Sequence, residues 1–209
     1  MLRCDSRREL QERFCPRRSF ARGIGIANKR GRGLAPYING ESRADQTLND
    51  LFIHSLSDVY RAEKQLTKAL PRLARAATNE DLAAAFRTHL EETQGQIERI
   101  ERIDQVVESA GIELKRIKCF AMEGLVEEGQ EQIEEIEKGP ILDAALIAAA
   151  QKVEHYEIAT YGTLATLAKK LGYNDGMTLL LETLQEEKAT DEKLTLLAKQ
   201  ELTEQEVGK

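Results

Sequence analysis

The sequence predicts an all-α protein, a four-helix bundle built from two helical hairpins with a short crossover helix between them. Three observations predict it. Only four prolines and fourteen glycines interrupt 209 residues, and aromatics make up 5% against 32% charged residues, a composition that favours helix. Apolar residues recur at three- and four-residue steps in five successive segments. The first hairpin pattern returns in the second hairpin. The length suits one well-buried core.

Residues 1–45 precede the pattern and differ chemically from the rest. They hold eleven Lys/Arg and five Asp/Glu, which puts +6 here and −12 on residues 46–209. Weak periodicity with Gly and Arg clusters predicts a basic, disordered N-terminal arm. Three readings fit it: an Arg-rich targeting or nucleic-acid-binding tail, a solvated extension, or a stretch upstream of the true translation start. Nothing in it resembles an organised base-reading element, which favours the last two. No run reaches the roughly 20 apolar residues of a membrane span, and no signal-peptide pattern opens the chain, so a soluble cytoplasmic protein without a membrane partner is expected. Cys4, Cys15 and Cys119 are odd in number and lack zinc-site spacing, which argues against a disulfide framework or a zinc site.

The first helix begins near Thr47, and Phe52, Leu56, Val59, Glu63, Leu66, Leu70 and Leu73 form its buried stripe. Pro71 removes an interior hydrogen bond and is expected to bend it. The second helix, about Asn79 to Ser109, has Asn79 as N-cap and Gly111 as its stop, with the stripe Leu82, Phe86, His89, Glu92, Gln96, Ile100, Ile103, Val107. A shorter amphipathic helix, about Cys119 to Lys138, ends at "KGP" and serves as the crossover. The fourth helix, about Ile141 to Leu171, would span roughly 45 Å. Its stripe is Leu146, Ala150, Val153, Glu157, Tyr161, Leu164, Ala168, with Glu154 on the adjoining edge. After a "GYNDG" break, a last helix from about Met177 to Lys199 carries Leu180, Leu184, Glu187, Asp191, Leu194 and Ala198.

Glu63 and Glu157 are each followed by Leu seven residues on and Ala eleven residues on, and "EETQGQ" at 91–96 matches "EEKATD" at 186–191. Two copies of a hairpin joined by a long helical connection give a bundle of ferritin-like topology. The domain is expected over residues 46–200, with a disordered C-terminal tail at 201–209.

Each copy turns carboxylates inward, and ionised groups in a bundle core are unfavourable without compensation. A single Glu in such a stripe is often a border residue lying over the surface, but four at matching heights weaken that explanation. The stripes hold no neighbouring Lys or Arg, so internal salt bridges do not account for the set. Metal ions do. Oxygen-rich sites suit iron or manganese, and two divalent ions neutralise four carboxylates.

The stretches "LSDVYRAEKQL", "HLEETQGQIERI", "KCFAMEGLVEEG", "AALIAAAQKVEHYEIATYGTLATLA" and "EEKATDEKLT" cover nearly the whole expected domain. On them the chain, from about Thr47 to Lys199, resembles the YciE/YciF-type stress proteins of the ferritin-like superfamily. The resemblance implies a rubrerythrin-like bundle, homodimers, bacterial stress-response expression and a di-iron site. It assigns Glu63 as ligand on the first helix, Glu92 on the second, Glu154 or Glu157 on the third core helix and Glu187 on the fourth. The superfamily usually adds a His three residues after the second and fourth Glu, and here Gly95 and Thr190 stand in those places. Gln96 and Asp191, one residue further on, are weaker substitutes, and His89 fits either a ligand or a hydrogen-bonded core histidine. His155 suits a rim position. Tyr60, Tyr156 and Tyr161 fall near the same heights, where their hydroxyls suit buried acceptors better than redox participation.

The function expected is a di-iron protein that oxidises ferrous iron or reduces peroxide under stress. Its cofactor would be two iron ions, manganese being compatible, and its partners dioxygen or hydrogen peroxide and ferrous iron. The alternative is a non-catalytic helical homodimer acting through a partner surface; nucleic-acid binding through the arm is disfavoured. No activated serine or cysteine and no Gly-rich phosphate loop supports a hydrolase or a nucleotide-dependent enzyme.

Overall fold

Local sequence signals set the helix ends. The computed structural model describes residues 47–108, 114, 115 and 117–207, which form five α-helices and no strands. The basic arm over 1–45, Gly111 and the side chain of Val107 lie outside what is described.

Helix α1 (Leu48–Ala76) starts with a capping box: the Asp50 amide donates to Thr47 Oγ1 at 3.2 Å, and the Thr47 amide donates to Asp50 Oδ2 at 2.8 Å. It continues through Pro71 to Ala76. Helix α2 (Glu80–Glu108) is capped by Asn79, whose Oδ1 accepts from the Asp81 and Leu82 amides at 2.8 and 3.1 Å. Helix α3 (Phe120–Glu135) opens on Cys119, whose sulfur accepts from the Met122 amide. Helix α4 (Pro140–Leu171) begins with proline at a position where no amide hydrogen is needed.

The α4–α5 turn is shorter than the sequence suggests. Gly172 takes the left-handed conformation (φ 82°, ψ 11°), and the Tyr173 amide donates to the Ala168 carbonyl at 2.9 Å. This closes the turn in two residues, so α5 (Asn174–Val207) takes in the Asn-Asp-Gly expected to form a break. Helix α5 also passes Lys199 into the segment expected as a tail.

The core shows how the helices run. One apolar cluster holds Leu66 and Leu70 of α1, Leu82 and Phe86 of α2, Leu142 and Leu146 of α4, and Leu194 and Leu197 of α5. The other holds Phe52, Leu56 and Val59, then Ile100 and Ile103, then Leu164 and Ala168, then Leu180. So α1 and α5 run from the second cluster to the first, and α2 and α4 run back. Each of α1 and α5 packs against both α2 and α4, which makes every neighbouring pair antiparallel. Because α2 ends where α4 does not begin, the chain between them traverses the bundle, and α3 lies on the outside of α1 and α4. This is a ferritin-like four-helix bundle.

Between the two apolar clusters lies a polar layer. Every core helix contributes: Glu63; His89, Thr93 and Gln96; Glu154 and Glu157; Thr183, Glu187 and Thr190, all buried. Apolar packing above and below holds these groups at one height.

Candidate metal centre

Helix α4 contacts three other helices, so its inward face is wide enough to bury both Glu154 and Glu157, which lie one turn apart. His89 arrives from α2 and Glu187 from α5. One ligand atom from each of His89, Glu154, Glu157 and Glu187 lies within 4.8 Å of all the others. His89 Nε2 is 3.4 Å from Glu154 Oε1 and 4.0 Å from Glu157 Oε2. Glu63, fully buried on α1, accepts a hydrogen bond from the Tyr161 hydroxyl on Oε1.

These groups are short of partners. Glu63 Oε2, Glu154 Oε2, both oxygens of Glu157, Glu187 Oε2 and both ring nitrogens of His89 are buried without a hydrogen bond. No Lys or Arg is buried among the described residues. Leaving even one buried polar atom unpaired typically costs about 1–3 kcal/mol, so a convergent group of them is not a structural ornament.

The electrostatics follow. Burial, and then the charge of Glu187, push the Glu63 carboxyl up to about 8. Burial raises Glu154 and Glu157 well above the carboxylate range and raises Glu187 in the same direction. For His89, burial alone would favour the neutral ring, but Glu154 and the other surrounding carboxylates outweigh it and lift the imidazole to about 10. Tyr161 is raised by burial and by Glu63. Protons held by the carboxylates and His89 are thus one way to neutralise the layer. Multivalent cations are the other, and the unpartnered oxygens with one imidazole are a donor set that could hold a metal ion.

The remaining expected residues separate. Gln96 is buried and donates to Glu187 Oε1, leaving its own Oε1 unpartnered. Glu92 is not inside the layer: its side chain is 34% exposed, its Oε2 lies 3.7 Å from His89 Nδ1, and it accepts from the Thr190 hydroxyl at 3.4 Å. Asp191 is half-buried on the α4–α5 side, where it accepts from Gln151 at 3.2 Å and faces the exposed His155 at 3.4 Å. Of the three tyrosines only Tyr161 reaches the layer. Tyr60 donates to Glu101 at 2.8 Å, and Tyr156 donates to Asp58 at 2.8 Å beside the Cys119 sulfur.

The helical phase explains these differences. The expected stripe steps from His89 to Glu92 to Gln96, whereas the buried positions step from His89 to Thr93 to Gln96, turning Glu92 to the edge. On α5 the buried positions are Thr183, Glu187, Thr190 and Leu194, which moves Leu184 and Asp191 aside in the same way. Sequence reasoning missed Thr93 and Thr190 because short polar side chains give no periodic signal. It also missed the pairing of Arg99 with Glu186, which lies on the outer side of the α2–α5 seam.

Residues 47–207 match the family model described as a domain of unknown function (DUF892). The chain is 67% identical over 154 residues to Protein YciF of Escherichia coli strain K12, covering 73% of this chain and 91% of that one. It is similar to the crystal structure of the E. coli stress protein YciF, with a TM-score of 0.73 and 61% identity over 76% of this chain and 98% of the other. It is also similar to YcfI from Rhodopseudomonas palustris, described as a candidate structural protein, with a TM-score of 0.68 and 48% identity over 74% and 97% of the two chains. The chain therefore belongs to the DUF892 family, the YciE/YciF-type stress proteins of the ferritin-like superfamily.

Proposed function

We propose that the polar layer binds two divalent iron ions and that the protein oxidises ferrous iron, or reduces peroxide, during stress. The observation that carries this reading is the convergence of unpartnered buried carboxylate oxygens and imidazole nitrogens, with no Lys or Arg buried among the described residues. Glu63, Glu154, Glu157, Glu187 and His89 would hold the ions. A pair of carboxylate-bound iron ions supplies two electrons to dioxygen or peroxide.

The chain's own residues define the surroundings. Tyr161 orients Glu63, and Gln96 orients Glu187, each fixing one carboxylate oxygen and leaving the other free. The apolar clusters above and below exclude water from the layer. The carboxyl protons kept by burial leave as cations bind, so loading releases acid.

The test is loading of the chelator-stripped full chain with ferrous iron under anaerobic conditions. Stoichiometric uptake with a gain in melting temperature is expected, followed by consumption of the bound ferrous iron on adding dioxygen or peroxide faster than in protein-free buffer. Neither uptake nor stabilisation would leave a non-catalytic helical bundle, in line with the description of the R. palustris relative as a structural protein.

A further inference from the structure

Buried ligands need a route to solvent. The seam between α2 and α5 contains two half-exposed acids, Glu92 and Glu186, each touching a buried residue of the layer. They are not equivalent. Glu186 is already neutralised: Arg99 donates to it and to the Thr183 hydroxyl, and Gln96 donates to it at 3.2 Å. That end of the seam carries a guanidinium and is closed to cations.

Glu92 is differently placed. It accepts from the Thr190 hydroxyl at 3.4 Å and lies 3.7 Å from His89, and Lys193 adds positive charge nearby. Behind it, His89 is 3% exposed and turns two unpartnered nitrogens in opposite senses, Nδ1 toward Glu92 and Nε2 toward Glu154 and Glu157. A cation taken up by Glu92 meets a buried nitrogen first and the inner carboxylates next.

We propose that Glu92, with His89 Nδ1 and the Thr190 hydroxyl, forms a transit site through which divalent cations reach the buried layer, and that Glu92 is not a resident ligand. This rests on the metal-binding reading above. It departs from the ligand pattern that the superfamily resemblance assigns, in which Glu92 holds the metal permanently. The capture step needs a carboxylate at the surface with an imidazole nitrogen behind it, whose proton leaves to solvent as the ion binds.

Cobalt(II) is the probe, because its visible absorption changes as water ligands are replaced by protein ligands. Stopped-flow mixing of Co(II) with the full chain at low ionic strength compares the unsubstituted protein, Glu92→Gln, Glu92→Asp and Asp191→Asn, the last altering the α4–α5 side. Glu92→Gln should slow filling by about tenfold or more, yet reach the same final stoichiometry and spectrum. Glu92→Asp should recover most of the rate, and Asp191→Asn should fill as fast as the unsubstituted chain. Loss of bound cobalt in Glu92→Gln makes Glu92 a resident ligand and overturns the proposal. Filling at an unchanged rate overturns it too. If the unsubstituted chain takes up no cobalt, the metal-binding reading fails and this inference falls with it.

Discussion

His89 Nε2 lies 3.4 Å from Glu154 Oε1, in a layer where neither side chain is more than 3% exposed. A protonated imidazole against carboxylates in such surroundings is a stable arrangement for the metal-free protein, and the same atoms suit a metal. On the proposed metal binding, protons and metal ions would compete for one site, and the dependence of stability on pH should differ with and without metal.

The metal-free protein should lose stability as pH rises. The Glu63 carboxyl, normally near 4.5, stands at about 8 in the fold, and the His89 imidazole moves from 6.5 to about 10. Both folded values lie above the unfolded ones. The stabilisation is complete below the unfolded values and is lost as pH climbs, for Glu63 between about 4.5 and 8 and for His89 between about 6.5 and 10. The loss should appear as a melting temperature that falls steadily in thermal melts of chelated protein between pH 5 and 9. Melts on metal-loaded protein should not show this decline, because deprotonated ligands bind metal more tightly.

Glu157→Gln should separate stability from binding. Both Glu157 oxygens are buried without a partner, and its carboxyl is raised by burial and by Glu63. The amide is neutral at every pH and removes the cost of keeping a buried carboxyl protonated, so the chelated variant should melt a few degrees above the unsubstituted chain at pH 8. The stabilisation produced by added ferrous iron should shrink or vanish in the same melts.

Asp143 should matter for folding and not for metal. It is buried at the start of α4, and it accepts from the Thr78 amide at 2.8 Å, the Thr78 hydroxyl and the Asn79 amide at 2.9 Å, tying the α1–α2 turn to the second hairpin. Asp143→Ala should cost about 2–4 kcal/mol in urea denaturation, with cobalt stoichiometry unchanged.

Gly172→Ala addresses the α4–α5 turn. No atom would obstruct an added Cβ, so the cost comes from the φ of 82° alone. A loss of about 1 kcal/mol is expected, measured by the same denaturation.

The bundle was legible because three- and four-residue spacing marks a buried face wherever the face is apolar. Leu56, Leu66, Phe86, Leu146 and Leu164 all lie where that spacing puts them. Inside the polar layer the signal weakens: apolar burial cannot be read from Glu, His or Thr, and an error of one residue moves a side chain from the interior to the edge. Glu92 and Asp191 show this, being half-exposed while their neighbours Thr93 and Thr190 turn in. Glu154 was legible only as an edge position, because the width of α4's buried face depends on how many helices it touches. The repeat also suggested more symmetry than exists, since Glu92 and Glu187 align in sequence yet differ in depth.

Anomalous diffraction from crystals soaked anaerobically in ferrous salt tests the metal layer most directly. Two peaks should appear between the apolar clusters, within bonding reach of Glu63, Glu154, Glu157, Glu187 and His89, with Glu92 free at the seam. A map with no peak at that height, or with peaks only beside exposed acids on the helix surfaces, would contradict the metal centre and leave only the bundle.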